Sequence, residues 1–120
     1  MSVGKLNFRT TDAPQGTIVT IGGELTVEEA DQLEKQMMAL ATSKGGVSYV
    51  VDLSDVSFAA SLAISCLLRF RSSAIAAGGR VALADIQPMV LDALRRAQLH
   101  RVFSIYPTVN AAFTDMAVTK

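Results

Sequence analysis

The sequence predicts a single α/β domain built on a mixed, mostly parallel sheet with about four helices. Short apolar runs alternate along the chain with longer segments of three-and-four apolar spacing, which is the pattern of strands joined by helices. A chain of 120 residues, 50% of them hydrophobic, is long enough to bury one core. No linker or internal repeat interrupts the sequence, so residues 1–120 are expected to form one domain.

The first two strands are expected to form a hairpin. Lys5 to Arg9 alternates weakly and predicts an edge strand, and Thr17 to Gly22 predicts its partner. Residues 12–16 place Asp, Pro and Gly where a turn requires them.

The first helix is expected to begin after Thr26. Thr26 stands three residues before Glu29, which is the spacing of a reciprocal capping box. The Ser-Lys-Gly-Gly sequence at residues 43–46 is expected to end the helix. Its apolar positions form one stripe: Ala30, Leu33, Met37, Leu40 and Ala41.

The central strand and the second helix follow. Val47 to Leu53 is almost continuously apolar, which is typical of a strand covered on both faces. After a polar loop, Ser61 is placed to cap a helix that ends at Gly78-Gly79. The expected buried stripe of this helix is Ile64, Leu67, Leu68, Arg71, Ala74 and Ile75.

The remaining elements complete the sheet. Arg80 to Asp85 predicts a strand, Pro88 sits in the first turn of a third helix, Val102 to Ile105 predicts a last strand, and Pro107 starts a final helix. The resulting order is β-β-α-β-α-β-α-β-α, which implies right-handed crossovers between parallel strands.

The composition excludes several classes of function. Eleven basic and eleven acidic residues give a net charge of zero, so no overall field favours nucleic acid. Cys66 is the single cysteine, which leaves no intrachain disulfide and no cysteine-based metal site, and no cofactor is expected. The chain has no apolar run long enough for a membrane span and no leader, so a cytoplasmic protein with no membrane partner is expected.

The region around the central strand carries a family pattern. Val50-Val51-Asp52-Leu53-Ser54 is followed by Val56-Ser57-Phe58 and then by Leu62-Ala63-Ile64 at the helix start. Three further motifs lie on either side: Gly23-Glu24-Leu25, Gly78-Gly79-Arg80-Val81 and Tyr106-Pro107-Thr108. In this order and spacing the motifs resemble the STAS domain over nearly the whole chain. The stand-alone size is most similar to the bacterial anti-sigma-factor antagonists.

The resemblance implies a regulatory module that binds an anti-sigma factor or a serine-kinase-type regulator. In the family, serine phosphorylation at the start of the helix after the central strand reverses this binding. A phosphate adds nearly two negative charges at a helix N-terminus, where its charge is favoured. The partner-binding residues implied here are Gly23, Glu24, Thr26, Phe58, Ala59, Ala60, Ser61 and Leu62.

The sequence departs from the family at the phosphoacceptor. Where the family commonly has Asp-Ser-Ser-Gly, this chain has Ala60, Ser61, Leu62 and Ala63, so the usual acceptor position is a leucine. Thr26 also stands where the family often has an aspartate.

Three interpretations of the acceptor stay open at this point. Ser61 is the acceptor in a shifted register; or Ser57, Ser65 or Thr26 replaces it; or phosphorylation is lost and the domain binds constitutively. The hydroxyl of Ser61 is explained as well by a plain helix N-cap, which contributes about 1 kcal/mol and needs no further role.

Other surfaces and functions compete with this interpretation. Phe70, with Arg69 and Arg71, is expected on an apolar and basic face of the second helix that meets a partner. One alternative function is a STAS-like small-molecule or lipid-sensing domain, which an enclosed apolar cavity at the strand ends would support. Another is a thiol-dependent enzyme using Cys66, although a lone cysteine is more often a small core residue. The oligomeric state is left open.

Overall fold

Within residues 6–118, which the computed structural model describes, five strands and four helices follow one another in the expected order. The elements are β1 (Asn7–Ala13), β2 (Gly16–Leu25), α1 (Val27–Ser43), β3 (Ser48–Ala59), α2 (Ser61–Ala76), β4 (Arg80–Ala84), α3 (Pro88–Arg96), a 3₁₀ turn (Leu99–Arg101), β5 (Ser104–Tyr106) and α4 (Val109–Val118). The predicted fold class is confirmed.

The strands lie in the sheet in their sequence order, from β1 to β5. β1 runs antiparallel to β2, and the other neighbouring pairs are parallel. Each crossover steps to the next strand in the same direction, so right-handed connections put α1, α2 and α3 on one face of the sheet. α4 packs on the opposite face.

β3 is the middle strand of the sheet and is covered on both faces, as its apolar run predicts. Tyr49, Val51 and Leu53 belong to the main core under α1, α2 and α3. Val50, between them in sequence, points to the other face and packs with Phe113 of α4. Successive side chains of β3 therefore pack into two separate apolar layers, one on each face of the sheet.

The hairpin is longer than the sequence pattern predicts. β1 extends past Arg9 to Ala13, and a two-residue turn, Pro14 and Gln15, leads into β2 at Gly16. Threonines and an aspartate fill the added part of β1, so it carries no apolar signal, yet an edge strand needs only backbone pairing on one side. Lys5, the expected first residue of β1, lies outside the described residues.

β3 is also longer than predicted, and the polar loop expected after Leu53 is wrong. Ser54, Asp55 and Ser57 are exposed but lie in the strand, which continues to Ala59. This part of β3 pairs with β2 beyond Thr20, with two register shifts. Backbone hydrogen bonding therefore sets the length of the strand where side-chain burial does not.

The buried face of α2 is displaced from the predicted stripe. Phe70 is 0% exposed, so its expected place on a partner-facing surface is wrong, and Ile75, expected to be buried, is 45% exposed. α2 packs against both α1 and the sheet, which buries two adjacent rows of side chains instead of one narrow stripe. The buried residues are Ala63, Ile64, Cys66, Leu67, Phe70 and Ala74.

The last strand is shifted along the chain. Val102 to Ile105 was expected, but β5 begins at Ser104 and Val102 is exposed. Leu99, at the start of the preceding 3₁₀ turn, and Phe103, just after its end, are buried. These two apolar residues before β5 therefore anchor the turn in the core and do not belong to the strand. Pro88 opens α3 as predicted.

Candidate docking site at the start of the first two crossover helices

The two predicted contact segments meet at one edge of the sheet. β2 ends at Leu25 and β3 at Ala59, and these two residues are partners in the parallel register. The N–H of Ala60 donates to the carbonyl oxygen of Leu25 at 2.9 Å, which continues the pairing beyond the strands. The N-termini of α1 and α2 consequently begin side by side, although residues 26 and 60 are far apart in sequence.

Three large apolar side chains are exposed at this edge. Phe58 is 43% exposed, Leu62 is 49% exposed and Val27 is 61% exposed. Val27 was not among the predicted contact residues. The signal that could have found it is an apolar residue at the first position of a helix, one turn before the buried Ala30.

The smaller predicted contact residues shape the backbone between these side chains. Gly23 has a φ of +109°, a conformation that L-residues rarely adopt. Glu24 is exposed, whereas Ala59 and Ala60 are half-buried. The predicted residues therefore lie on one surface patch, with Gly23 setting the path of the chain into α1.

The caps of both helices differ from their predicted form. Thr26 is the N-cap of α1, but its hydroxyl donates to the Glu29 carboxylate and makes no bond to a backbone N–H. The N-cap of α2 is Ala60, so the expected capping role of Ser61 is wrong, and Ser61 is the first helical residue. α2 thus starts without a side-chain cap, and its first N–H groups point to the surface edge.

The candidate phosphoacceptors differ in exposure. Ser57 lies exposed on β3, Ser61 lies exposed in the first turn of α2, and Ser65 is half-buried one turn later. Thr26 is half-buried and already engaged with Glu29. Of these four hydroxyl groups, Ser61 is the exposed one that sits at a helix N-terminus.

A furrow of about 310 Å³ runs between α1 and α2 from this edge. Val27 and Leu62 flank its open end, and an ion pair between Glu34 and Arg69 lies two helical turns further down. The residues lining it follow helical spacing on each helix: Val27, Ala30, Asp31 and Glu34 on α1, and Leu62, Cys66 and Arg69 on α2.

Cys66 lies against this furrow as a protected thiol. It is 2% exposed, and its Sγ–H donates to the carbonyl oxygen of Ala30 at 3.3 Å. Burial raises the pKa of the thiol, and the charge of Glu34 adds to this while Arg69 opposes it. A catalytic thiol needs the reverse shift, because the thiolate is the nucleophile.

Alkylation of Cys66 is therefore expected to be slow in the native protein. At pH 7 iodoacetamide should react at least about tenfold more slowly than with the urea-unfolded chain, since both burial and a raised pKa suppress the exposed thiolate. The native rate should rise as the pH passes above the usual thiol range. Fast native alkylation near neutral pH, followed by mass spectrometry, would instead favour the thiol-enzyme alternative.

A second groove lies at the ends of β4 and β5 and bears on the small-molecule alternative. It has a volume of about 520 Å³ and is open to the surface. Gln87 crosses one side of it, where its Nε2–H donates to the carbonyl oxygen of Ser54 at 2.7 Å. This open groove is not the enclosed apolar cavity that a small-molecule or lipid-sensing domain would need. The lining residues are Ser54, Asp85, Ile86, Gln87, Leu91, Ile105, Tyr106 and Pro107.

The sequence matches the family described as STAS domain over residues 6–112. The chain belongs to the STAS domain family. Within residues 6–118 of this STAS domain, no helix combines the length and apolar character needed to cross a bilayer. The same residues bring together no group of three or more His, Cys, Asp or Glu side chains that could hold a metal ion.

Solved structures of low sequence identity share the fold of this STAS domain. An anti-sigma factor antagonist from Mycobacterium paratuberculosis is 22% identical with a TM-score of 0.83, covering 92% of this chain and 93% of that chain. The Bacillus cell fate determinant SpoIIAA in its phosphorylated form is 15% identical with a TM-score of 0.70, covering 92% and 99%. The murine Slc26a9 anion transporter, in the inward-facing state, is 17% identical with a TM-score of 0.80; the match covers 98% of this chain and 23% of the transporter. No curated protein sequence matches the chain.

Proposed function

We propose that this STAS domain is a cytoplasmic anti-sigma-factor antagonist without catalytic activity. It binds an anti-sigma factor or a serine-kinase-type regulator through the edge where α1 and α2 begin. The observation that carries the proposal is the exposure of Val27, Phe58 and Leu62 together at this edge. An anti-sigma factor antagonist of the same fold supports it.

The exposed apolar side chains favour burial of this patch by a binding partner. Soluble domains rarely leave several large apolar side chains together on one surface unless something binds there. Each half-exposed side chain that a partner covers contributes roughly 25 cal/mol per Å² of apolar area removed from water. Backbone and small side chains between them leave room for close approach of the partner.

Binding is tested by titrating the purified protein against each serine-kinase-type anti-sigma factor of the source organism. At least one is expected to form a reversible 1:1 complex by calorimetry. The proposed function would be abandoned if every such regulator, shown to be folded and nucleotide-bound, failed to bind. The complex that does form provides the partner for the variants described below.

We further propose that Ser61 is the residue that a bound kinase phosphorylates. Its hydroxyl is exposed, and the uncapped N–H groups at the start of α2 favour a phosphate there. A phosphate next to Leu62 would oppose the complex, because a dianion would have to lose water to be covered by the partner.

Phosphorylation is tested by incubating the protein with the binding kinase and ATP and mapping the product by mass spectrometry. Ser61→Ala should remove the modification, and Ser57→Ala, which changes the other exposed candidate serine, should leave it. Modification at Ser57 or Ser65 in the unaltered protein would identify that residue as the acceptor in place of Ser61. Complete absence of modification by a kinase that binds would identify a constitutive binder, and the binding proposal would stand without the switch.

A further inference from the structure

The furrow between α1 and α2 has an apolar mouth and a polar far end. Val27 and Leu62 stand on opposite sides of the mouth, and Ala30 and Cys66 lie deeper between the helices. The Glu34 and Arg69 side chains close the far end as an ion pair, in which each charge is already matched. An entering side chain therefore meets aliphatic surface first, without an unpaired charge beneath it.

The surroundings of the mouth are acidic, although the chain as a whole is neutral. Residues 22–31, 54–65 and 84–91 form the edge of the sheet where β2, β3 and β4 end, and they contain no lysine or arginine. Glu28 and Glu29 fit the positive end of α1 and need no partner to explain them. Glu24, Asp55 and Asp85 lie outside the helices. The carboxylates of this edge are Glu24, Glu28, Glu29, Asp31 and Asp85, whereas Asp55 faces the other side of the sheet.

Nearby cations do not neutralise this edge. Lys35 pairs with Asp31 at 3.2 Å, but both side chains are more than three-quarters exposed, so the pair is weak. Arg69 is paired with Glu34. Arg9 lies beside Asp55 in a depression lined by Thr20 and Gly22, on the other face of the sheet.

We propose that the furrow binds a cationic segment of the protein partner, which inserts an aliphatic side chain between Val27 and Leu62 and places lysine or arginine opposite Glu28 and Asp31. This inference rests on the proposed function and names the chemistry of the partner's contact surface. Charge complementarity of this kind speeds encounter and rejects acidic surfaces more than it adds raw affinity.

The chemistry is tested with synthetic peptide probes, so that it does not depend on finding the natural partner. Two amphipathic 14-residue peptides carry the same leucine pattern, with lysine at the polar positions of one and glutamate at those of the other. In NMR titrations of the isotope-labelled protein, the lysine peptide should shift the methyl signals of Val27 and Leu62. The glutamate peptide should leave them unchanged.

Matched variants separate a local effect from an effect of total charge. Glu28→Gln with Asp31→Asn removes two negative charges from the rim of the furrow, and Gln36→Lys with Ala39→Lys adds two positive charges further along α1, where both residues are exposed. The rim variant should weaken the lysine peptide between about threefold and tenfold, as expected for two exposed charge pairs. The control should change it by less than about twofold, since screening weakens charges beyond the first contacts.

The inference would be overturned if both peptides bound equally or neither bound, if the shifts were centred away from the furrow, or if the two double variants weakened binding equally. The spectra of the variants show directly that each remains folded. The outcome is distinct from that of the proposed function. If a regulator binds the rim variant normally, the proposed function stands and the furrow is rejected as the contact site. If the furrow selects the lysine peptide but no anti-sigma factor binds, only the proposed function is rejected.

Discussion

Leu62→Glu is expected to weaken the proposed complex with an anti-sigma factor by about 100-fold or more, which corresponds to at least about 2.7 kcal/mol. Leu62 is 49% exposed and stands at the mouth of the furrow opposite Val27. The partner would have to cover a carboxylate in an apolar contact, and a charge buried there without a partner is costly. Calorimetric titration of the variant against the regulator measures the change.

Ile75→Glu is the matched control for this effect. Ile75 lies on the same helix, is 45% exposed and sits near the opposite end of α2. The same substitution there should change the affinity by less than about threefold, since the residue lies outside the proposed contact. Equal losses from both variants would show a general effect on α2, and an unchanged affinity with Leu62→Glu would remove this surface from the interface.

Phe70→Ala is expected to lower the free energy of unfolding by about 3–5 kcal/mol, which is a large part of the stability of a domain of this size. Phe70 is 0% exposed and meets the ring of Tyr49 edge-on, with ring centroids 5.0 Å apart and an interplanar angle of 64°. Truncation removes this contact and leaves a cavity between α2 and the sheet. Urea unfolding followed by circular dichroism measures the loss.

Two controls make the Phe70 result specific. Phe70→Leu retains much of the buried volume and should cost less than Phe70→Ala, because the residual cavity is smaller. Ser72→Ala changes an exposed position of the same helix and should stay within about 0.5 kcal/mol. An unfolding free energy unchanged by Phe70→Ala would mean that the ring lies at the surface, as the sequence pattern of α2 had suggested.

The order of elements was predictable because burial periodicity is strong in this chain. The continuous apolar run around Val50 marks a strand with two covered faces, and the spacing in α1 marks a helix with one. The order of the strands then brings the ends of β2 and β3 together. The meeting of the Gly23–Thr26 and Phe58–Leu62 segments was therefore within reach of the sequence.

The features that escaped prediction depend on contacts between elements. Nothing local distinguishes Ser61 from an N-cap, but the bond from the N–H of Ala60 to Leu25 sets the start of α2 one residue earlier. The outer half of β3 is held by backbone pairing with β2, for which its polar side chains give no signal. Phe70 is buried because α2 packs against α1 and the sheet at once, a geometry that a single-stripe pattern does not describe.

Methyl cross-saturation in the proposed complex with an anti-sigma factor tests the docking edge most directly. With the regulator protonated and the STAS domain deuterated except at its methyl groups, irradiation of the regulator should attenuate the signals of Val27 and Leu62 most strongly. Ile75 and the residues under α4 should keep their intensity. Strong attenuation on the α4 face or along the β1 edge, with Val27 and Leu62 unaffected, would contradict the assignment of this edge as the site of docking.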